Sequence, residues 1–225
     1  MGYGIKILIE GDYALFSRPE MKVERVSYDV PTPSALVGLI SSIYWHPGVR
    51  YIIDRIHVLK PICFINIRRN EVSEKLLPSS VKKQMDGLKD DISIYTKECI
   101  SQRASLLLKD VCYGVEAHFE LTEEQEKDQT PEKCYNILLR RLRKGQHFSQ
   151  PFLGCREFPA RVTLTEQIPQ SSLLNDVDLG YMLYDLQYKK DKNGKSLDSA
   201  EPRFYRPHMI NGVIDVAKYA GDLLC

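Results

Sequence analysis

The sequence lacks the features that mark membrane, secreted and zinc-binding proteins. Its longest apolar runs are short, such as ALVGLI at residues 35–40, far below the roughly 20 residues that span a bilayer. No basic region followed by a long apolar segment opens the chain, so we predict a cytoplasmic protein with no membrane partner. Six cysteines are scattered without a CxxC pair, which argues against zinc and favours reduced thiols.

The common catalytic signatures are missing as well. The sequence contains no Walker loop, GxGxxG, HExxH or GxSxG motif, which removes the commonest nucleotide-dependent and hydrolase chemistries. Carboxylates and histidines show no spacing typical of a metal site, so we predict no metal and no other cofactor. What remains is a chain of 225 residues, 43% apolar and 27% charged, which suffices for one large domain or two small ones with a core.

Positive charge is clustered although the net charge is only +1. One cluster comprises Arg140, Arg141, Arg143 and Lys144, and a second comprises Arg50, Arg55, Lys60, Arg68 and Arg69. Either cluster alone is typical of a solvated surface. Basic clusters on a neutral protein can also hold an anionic polymer locally. They do not distinguish RNA hairpins from duplex DNA, so duplex DNA is a further candidate partner.

The first helix is predicted to begin after Thr32, which is a good N-cap followed by Pro33. Its apolar stripe is Leu36, Leu39, Ile40 and Ile43, and Pro47-Gly48 ends it. Because this stripe already satisfies the core, we expect Tyr44 to be free at the helix end and to face the next helix and Lys133. Trp45 is then the better candidate to plug the core.

A second helix is predicted from Pro131, with Thr130 as N-cap and Gly145 as stop. Its apolar stripe is Cys134, Ile137, Leu138 and Leu142. Lys133 lies in the first turn, and with Arg140 and Lys144 it makes one flank of this helix positive.

The order of elements to about residue 165 reads β-α-β-β-α-β, the order of an α+β ferredoxin-like or RNA-recognition fold. Residues 73–100 are polar and irregular and read as an insertion. Residues 166–225 are predicted to form a small antiparallel β appendage, in which Asn193-Gly194 is a strong hairpin signal. We therefore divide the chain into a domain at 1–165 and a β-rich region at 166–225.

Five segments, in order, resemble blocks of one family: GDYALFSRPE, VSYDVPTPSALVGLISSIYW, VLKPICFINIRRNEV, LKDVCYGVEAHFEL and RKGQHFSQPFLGCREFPARV. The family is that of the CRISPR-associated RAMP proteins of Cas family five, in the type I-C variant also called subtype d or Dvulg. The five matches are colinear over most of residues 8–165. EPRFYRPHMINGVIDV near the C-terminus matches more loosely.

The resemblance implies a metal-independent endoribonuclease. Proteins of this family bind the repeat hairpin of precursor CRISPR RNA and cut at the 3′ base of the stem. They then stay on the 5′ handle as a subunit of the type I-C surveillance complex, with the other subunits as partners. RNA carries its own nucleophile, the 2′-hydroxyl, so the expected products are a 2′,3′-cyclic phosphate and a 5′-hydroxyl.

The resemblance also implies which residues act. The family uses a tyrosine at the end of the first helix, which matches Tyr44, and a lysine at the start of the second, which matches Lys133. A histidine normally follows that lysine, but here the residue is Cys134. A thiol has a pKa of roughly 8.5 against roughly 6.5 for imidazole and is a poorer proton shuttle at neutral pH.

Three interpretations of Cys134 stay open, and the first is favoured. Cys134 is an inert member of the apolar stripe, or its thiolate substitutes for imidazole, or His46, His118 or His147 supplies the imidazole. The substitution also keeps a second function open, that of a non-catalytic RNA-binding scaffold capping the 5′ handle.

The candidate RNA-binding residues are of two kinds. Gly154 and Arg156 resemble the glycine-containing loop that RAMP proteins place near RNA, where Gly154 would let backbone approach phosphate. Phosphate contacts without sequence information are expected from Arg140, Arg141 and Lys144. His118 is predicted on the outward face of a strand, which in such a sheet is a candidate RNA-binding face.

Overall fold

The structure is a computed structural model that describes residues 3–21, 23–87, 92–124, 128–190 and 196–224. Its three helices are α1 (Pro33–Ile43), α2 (Pro78–Met85) and α3 (Pro131–Lys144), and a 3₁₀ turn follows at Ala217–Tyr219. The strands are β1 (Gly4–Ala14), β2 (Arg25–Val26), β3 (Val49–Val58), β4 (Phe64–Val72), β5 (Ile100–Leu121), β6 (Arg161–Leu164), β7 (Asp176–Asp178), β8 (Met182–Lys190), β9 (Ser196–Tyr205), β10 (His208–Ile210) and β11 (Val213–Asp215).

Four strands and two helices form the predicted β-α-β-β-α-β unit. The strands lie side by side in the order β6-β1-β5-β3, and every neighbouring pair is antiparallel. The connection from β1 to β3 contains the short strand β2 and then helix α1. Helix α3 connects β5 to β6. The predicted α+β ferredoxin-like class is therefore confirmed.

Strand β5 is long enough to belong to two parts of the sheet. Its 22 residues pair with β4 over Ile100–Leu108 and with β1 and β3 over the rest. Asp110, with a φ of 52°, lies two residues after the last residue that pairs with β4. The predicted insertion at residues 73–100 connects β4 to β5 and contains α2, whose residues are not buried in the core.

The C-terminal residues divide into two groups. Strands β11, β10 and β7 extend the main sheet beyond β3, while β8 and β9 form a separate antiparallel pair. Because strands on both sides of residue 165 share one sheet, the division of the chain at that point stays a prediction. Asn193-Gly194 lies outside the described residues, although β8 and β9 pair on either side of it.

Helices α1 and α3 pack against the sheet with the apolar faces that their periodicity predicts. Their buried members belong to one cluster with the inward residues of β1, β3 and β5: Leu36, Leu39, Ile40 and Ile43 from α1, and Cys134, Leu138 and Leu142 from α3. Both predicted N-caps are confirmed, since Thr32 accepts a hydrogen bond from Ala35 N and Thr130 accepts one from Lys133 N. Within the described ranges, no helix has the length and apolar character required to cross a bilayer.

The two aromatic residues after α1 exchange the roles predicted for them. Trp45 is 62% exposed, so the prediction that it plugs the core is wrong. Tyr44 is only 6% exposed and belongs to the core cluster. Tyr44 caps α1 with an extended backbone (φ −144°, ψ 117°), and consecutive side chains of an extended chain point to opposite sides. Once Tyr44 points inward, Trp45 therefore points outward.

We expect Thr130→Ala to lower the free energy of unfolding by about 1 kcal/mol, because it removes the acceptor that caps the first turn of α3. Thr130→Ser retains a hydroxyl and should stay close to the wild type. Denaturant unfolding of the three proteins measures the difference. Equal losses in the alanine and serine variants would show that the cap contributes nothing.

Candidate active site

The end of α1 meets the first turn of α3 through a hydrogen bond. The Tyr44 hydroxyl donates to the Cys134 Sγ over 3.7 Å, and both residues are buried. Gln129 Nε2 also donates to this sulfur, over 3.5 Å. Tyr44 thus faces the second predicted helix, as expected. The atom that accepts the hydrogen bond from its hydroxyl belongs to Cys134, however, and not to Lys133.

Arg141 holds the two helices together from the other side of the ring. Its Nη1 donates to the Ile43 carbonyl over 2.6 Å, which satisfies one of the open carbonyls at the end of α1. Its guanidinium carbon lies 5.3 Å from the centroid of the Tyr44 ring, within the range of a cation–π interaction. Arg141 is half-buried in this arrangement, so it has a structural contact where the sequence predicted only phosphate binding.

Burial keeps Tyr44 protonated. Desolvation, helped by the hydrogen bond to Cys134, raises the pKa of Tyr44 to about 12, and the opposing effect of Arg141 is smaller. Tyr51 donates to the Tyr44 carbonyl over 2.7 Å and stands edge-on to Phe119, which orients the tyrosine backbone. A phenol with this pKa is neutral at physiological pH. It can donate a hydrogen bond, but it is a poor general base.

Lys133 occupies the third position of α3 and is exposed, and its Nζ lies 3.4 Å from the Asp128 carbonyl. Its neighbour Glu132 accepts a hydrogen bond from the Tyr3 hydroxyl. The Lys133 side chain is therefore at the surface, whereas Tyr44 is buried in the core. Within the described residues, no three His, Cys, Asp or Glu side chains are grouped so as to hold a metal ion.

The three alternative histidines lie in different places. His118 is on the sheet face opposite to the helices, where its Nδ1 lies 2.9 Å from an Asp54 oxygen. His46 Nδ1 lies 3.0 Å from the Pro47 carbonyl. His147 is exposed and lines a cavity of about 200 Å³ that Arg141 and Ile43 also line. Of the three, His147 therefore shares its surroundings with the residue that stacks on Tyr44.

The predicted phosphate contacts do not form one uniform surface. Arg140 and Lys144 are exposed on α3, as is Arg156 in the loop before β6. These three side chains are available to solvent and can meet a phosphate backbone. Gly154 has a structural function: its φ is +82°, and a Cβ added to it would lie 2.0 Å from the Leu15 carbonyl oxygen.

The sequence patterns miss two residues of this site and assign a different role to a third. The sequence predicts Arg141 only as a contact to RNA phosphate, and it does not single out Tyr51 or Gln129. Arg141 contacts Ile43, which lies 98 residues earlier in the chain. The other two contacts are short in sequence, 7 residues from Tyr51 to Tyr44 and 5 from Gln129 to Cys134, but each crosses the end of a helix. The contact of Arg141 follows from tertiary packing, and the other two depend on the backbone direction just outside a helix, which helical periodicity does not set.

We expect Gly154→Ala to lower the free energy of unfolding by at least about 3 kcal/mol. A left-handed backbone is unfavourable for alanine, and the new methyl group would overlap the Leu15 backbone, which cannot move without shifting β1. Gly145→Ala is the matched control, because Gly145 also has a positive φ (+62°) but nothing within 4 Å of the added Cβ. It should lose only about 1 kcal/mol. Similar losses in denaturant unfolding would contradict the packing argument.

A sequence model of one protein family, described as CRISPR-associated protein (Cas_Cas5), matches residues 4–217. The chain belongs to the Cas5d family. The family predicted from the five sequence segments is thereby confirmed.

Two relatives named CRISPR pre-crRNA endoribonuclease Cas5d are similar over most of their length. The Cas5d protein of Mannheimia succiniciproducens is 43% identical over 230 residues, which cover 99% of this chain and 98% of that protein.

A second Cas5d protein, from Thermus thermophilus, is 41% identical over 199 residues, covering 88% of this chain and 80% of that protein. Among solved structures, one described as the crystal structure of a CRISPR-associated protein has a TM-score of 0.66 and 25% identity. The alignment covers 94% of this chain and 90% of that structure. Relatives named Cas5d thus share the sequence of this chain, and a solved CRISPR-associated protein shares its architecture.

Proposed function

We propose that this protein is a cytoplasmic, metal-independent endoribonuclease that binds the repeat hairpin of precursor CRISPR RNA and cuts it at the base of the stem. The observation that carries the proposal is the nearly full-length match to relatives named pre-crRNA endoribonuclease. The geometry supports it, because the end of α1 and the start of α3 meet at Tyr44. After cleavage, the protein stays on the 5′ handle as a subunit of the type I-C surveillance complex.

Cleavage without a metal needs three contributions from protein side chains. The 2′-hydroxyl must lose its proton, the phosphate oxygens must be stabilised as charge develops, and the 5′-oxygen must be protonated as it leaves. The cyclic phosphate forms as the 2′-oxygen attacks phosphorus and the bond to the 5′-oxygen breaks. Lys133, exposed at the start of α3, is suited to stabilise the phosphate charge.

Tyr44 is suited to a different part of this chemistry. Because its pKa is about 12, it acts as a neutral hydrogen-bond donor and not as the base. Its hydroxyl binds Cys134 in this structure, so contact with RNA requires that hydrogen bond to be exchanged for one to the substrate. Cys134 itself is 1% exposed, which supports the interpretation that it is a packing residue of α3.

A non-catalytic scaffold that caps the 5′ handle is the second candidate function. It is favoured by one observation, the burial of Tyr44 and Cys134 against each other where the family places tyrosine and histidine. A scaffold needs only the exposed cations of α3 and the loop at Arg156, which bind phosphate without chemistry.

We expect the purified protein to cut its own repeat RNA once, at the stem base, in the presence of EDTA. Tyr44→Phe and Lys133→Ala should each lower the single-turnover rate by about 100-fold or more, because each removes a donor to the reacting phosphate. Lys109→Ala on β5 is a control for the loss of a lysine charge elsewhere. Product mapping on denaturing gels gives the cut site and the termini.

Two outcomes of the same assay separate the candidate functions. Tight binding of RNA that stays intact would overturn the endoribonuclease in favour of the scaffold. An RNA with a 2′-deoxy nucleotide at the cut site should resist cleavage, and normal cutting of that RNA would contradict attack by the 2′-hydroxyl.

We expect Cys134→His to raise the cleavage rate by about tenfold or more. Imidazole in this position would lie beside the Tyr44 hydroxyl and titrate near neutral pH, where a general acid–base contributes 10²–10⁴-fold in typical enzymes. The pH–rate profile should gain an inflection below the ordinary histidine pKa of about 6.5, because burial at this position disfavours the charged imidazolium. Cys134→Ser, with a melting temperature for each variant, controls for repacking. An unchanged rate in a folded Cys134→His variant would show that the thiol is not a defect.

A further inference from the structure

A groove of about 600 Å³ begins beside the proposed cleavage site. Helix α1 forms one wall, the β8–β9 pair forms the opposite wall, and the first half of β3 forms the floor. Residues 220 and 223 close one side. The groove is large enough for a ligand of several rings.

Several exposed side chains at the rim of this groove are aromatic or aliphatic. Trp45 is 62% exposed on the α1 wall, and Tyr188 is 58% and Leu186 41% exposed on the β8 wall. Trp45 is the chain's only tryptophan. Large apolar side chains grouped at a concave surface mark a binding site more often than an ordinary solvated surface.

Cations accompany these aromatic side chains. The lining residues of the groove include two arginines, Arg50 and Arg203, and one carboxylate, that of Asp185. Arg203 binds Asp185 through its Nε at 2.7 Å, and its guanidinium carbon lies 6.0 Å from the centroid of the Tyr184 ring. Aromatic faces for stacking and arginines for phosphate are the combination by which proteins bind single-stranded nucleic acid.

The groove is continuous with the proposed site along the chain. Trp45 directly follows Tyr44, whose hydroxyl points to α3, so their Cα atoms are separated by roughly 3.8 Å. The extended backbone at Tyr44 turns one side chain toward α3 and the other into the groove. Trp45 therefore places an exposed aromatic ring in the groove one residue after the proposed site.

We infer that this groove binds the single-stranded RNA that leaves the base of the repeat stem, with bases stacked on Trp45 and Tyr188 and the backbone near Arg50. The inference rests on the proposed function and names the part of the substrate that this surface takes. It accounts for the exposure of the only tryptophan beside a buried tyrosine.

A strand of another protein is the competing occupant. Strand β11 pairs with β3 only at Arg55–His57, so an added strand could pair with the earlier part of β3. Arg50 favours RNA, because a neutral backbone edge does not require a cation and Arg203 is already paired with Asp185. The adjacency to Tyr44 favours RNA as well, since a cut at the stem base leaves single strands at this point.

Tryptophan fluorescence tests the inference directly, because Trp45 is the chain's only tryptophan and is therefore the source of the whole signal. The probes are the repeat hairpin with both single-stranded arms, carrying a 2′-deoxy nucleotide at the cut site, and the same hairpin trimmed to the stem. We expect the armed hairpin to quench Trp45 fluorescence and the trimmed hairpin to leave it nearly unchanged. Removing either arm separately shows which strand enters the groove.

Affinity of the variants gives the second readout. Trp45→Ala and Tyr188→Ala should each weaken binding of the armed hairpin by roughly 5- to 100-fold, the loss of one stacked base, and leave the trimmed hairpin unaffected. Trp45→Phe keeps an aromatic face and should retain most of the affinity. Tyr95→Ala removes a similarly exposed aromatic outside the groove (60% exposed) and should bind both RNAs as the wild type does.

The outcomes separate this inference from the proposed function. If the wild type cuts the unmodified hairpin but Trp45→Ala binds both RNAs normally and no quenching occurs, the groove inference is overturned and the endoribonuclease stands. Arm-dependent quenching without any cleavage supports the groove and overturns the endoribonuclease. A change of elution volume in gel filtration of Trp45→Ala, with RNA affinity unchanged, would assign the groove to self-association and overturn the inference. Failure of the wild type to bind either RNA would overturn both.

Discussion

Arg141 joins the end of α1 to the body of α3, and the proposed site depends on that contact. Its guanidinium binds the Ile43 carbonyl and covers the Tyr44 ring, while Tyr44 binds Cys134 at the other end of its side chain. A helix end leaves carbonyls without partners, and the half-buried guanidinium of Arg141 satisfies one of them. The same cation fixes the angle at which the chain leaves α1, and with it the positions of both aromatic residues.

The sheet makes this contact possible. Because β1, β3 and β5 are neighbours, the two crossover helices are placed side by side on one face, and the end of the first meets the beginning of the second. The opposite face carries the side-chain pairs His57–Glu116 and His118–Asp54 and is separated from Tyr44 by the sheet. His118 is therefore suited to hold RNA on that face, but it cannot supply an imidazole to Tyr44.

Much of the fold could be predicted from local patterns. The caps Thr32 and Thr130 and the stop at Gly145 act within one helical turn, so the helix bounds follow from a few adjacent residues. The burial of Cys134 followed from the period of α3. The pairing of β11 with β3 could not be predicted, because it joins residues more than 150 positions apart and the short strands involved have no distinctive composition.

The sequence by itself determined the family, the β-α-β-β-α-β order and the position of Tyr44 at the end of α1. Tertiary structure alone decided that Tyr44 is buried, that its pKa is raised to about 12 and that Trp45 is exposed. The physical reason is that helical periodicity assigns faces only up to the last helical residue. Beyond it the backbone becomes extended, successive side chains alternate, and the direction of the first one depends on what packs against it. Here Cys134 and Arg141 provide that surface, 90 and 97 residues further along the chain.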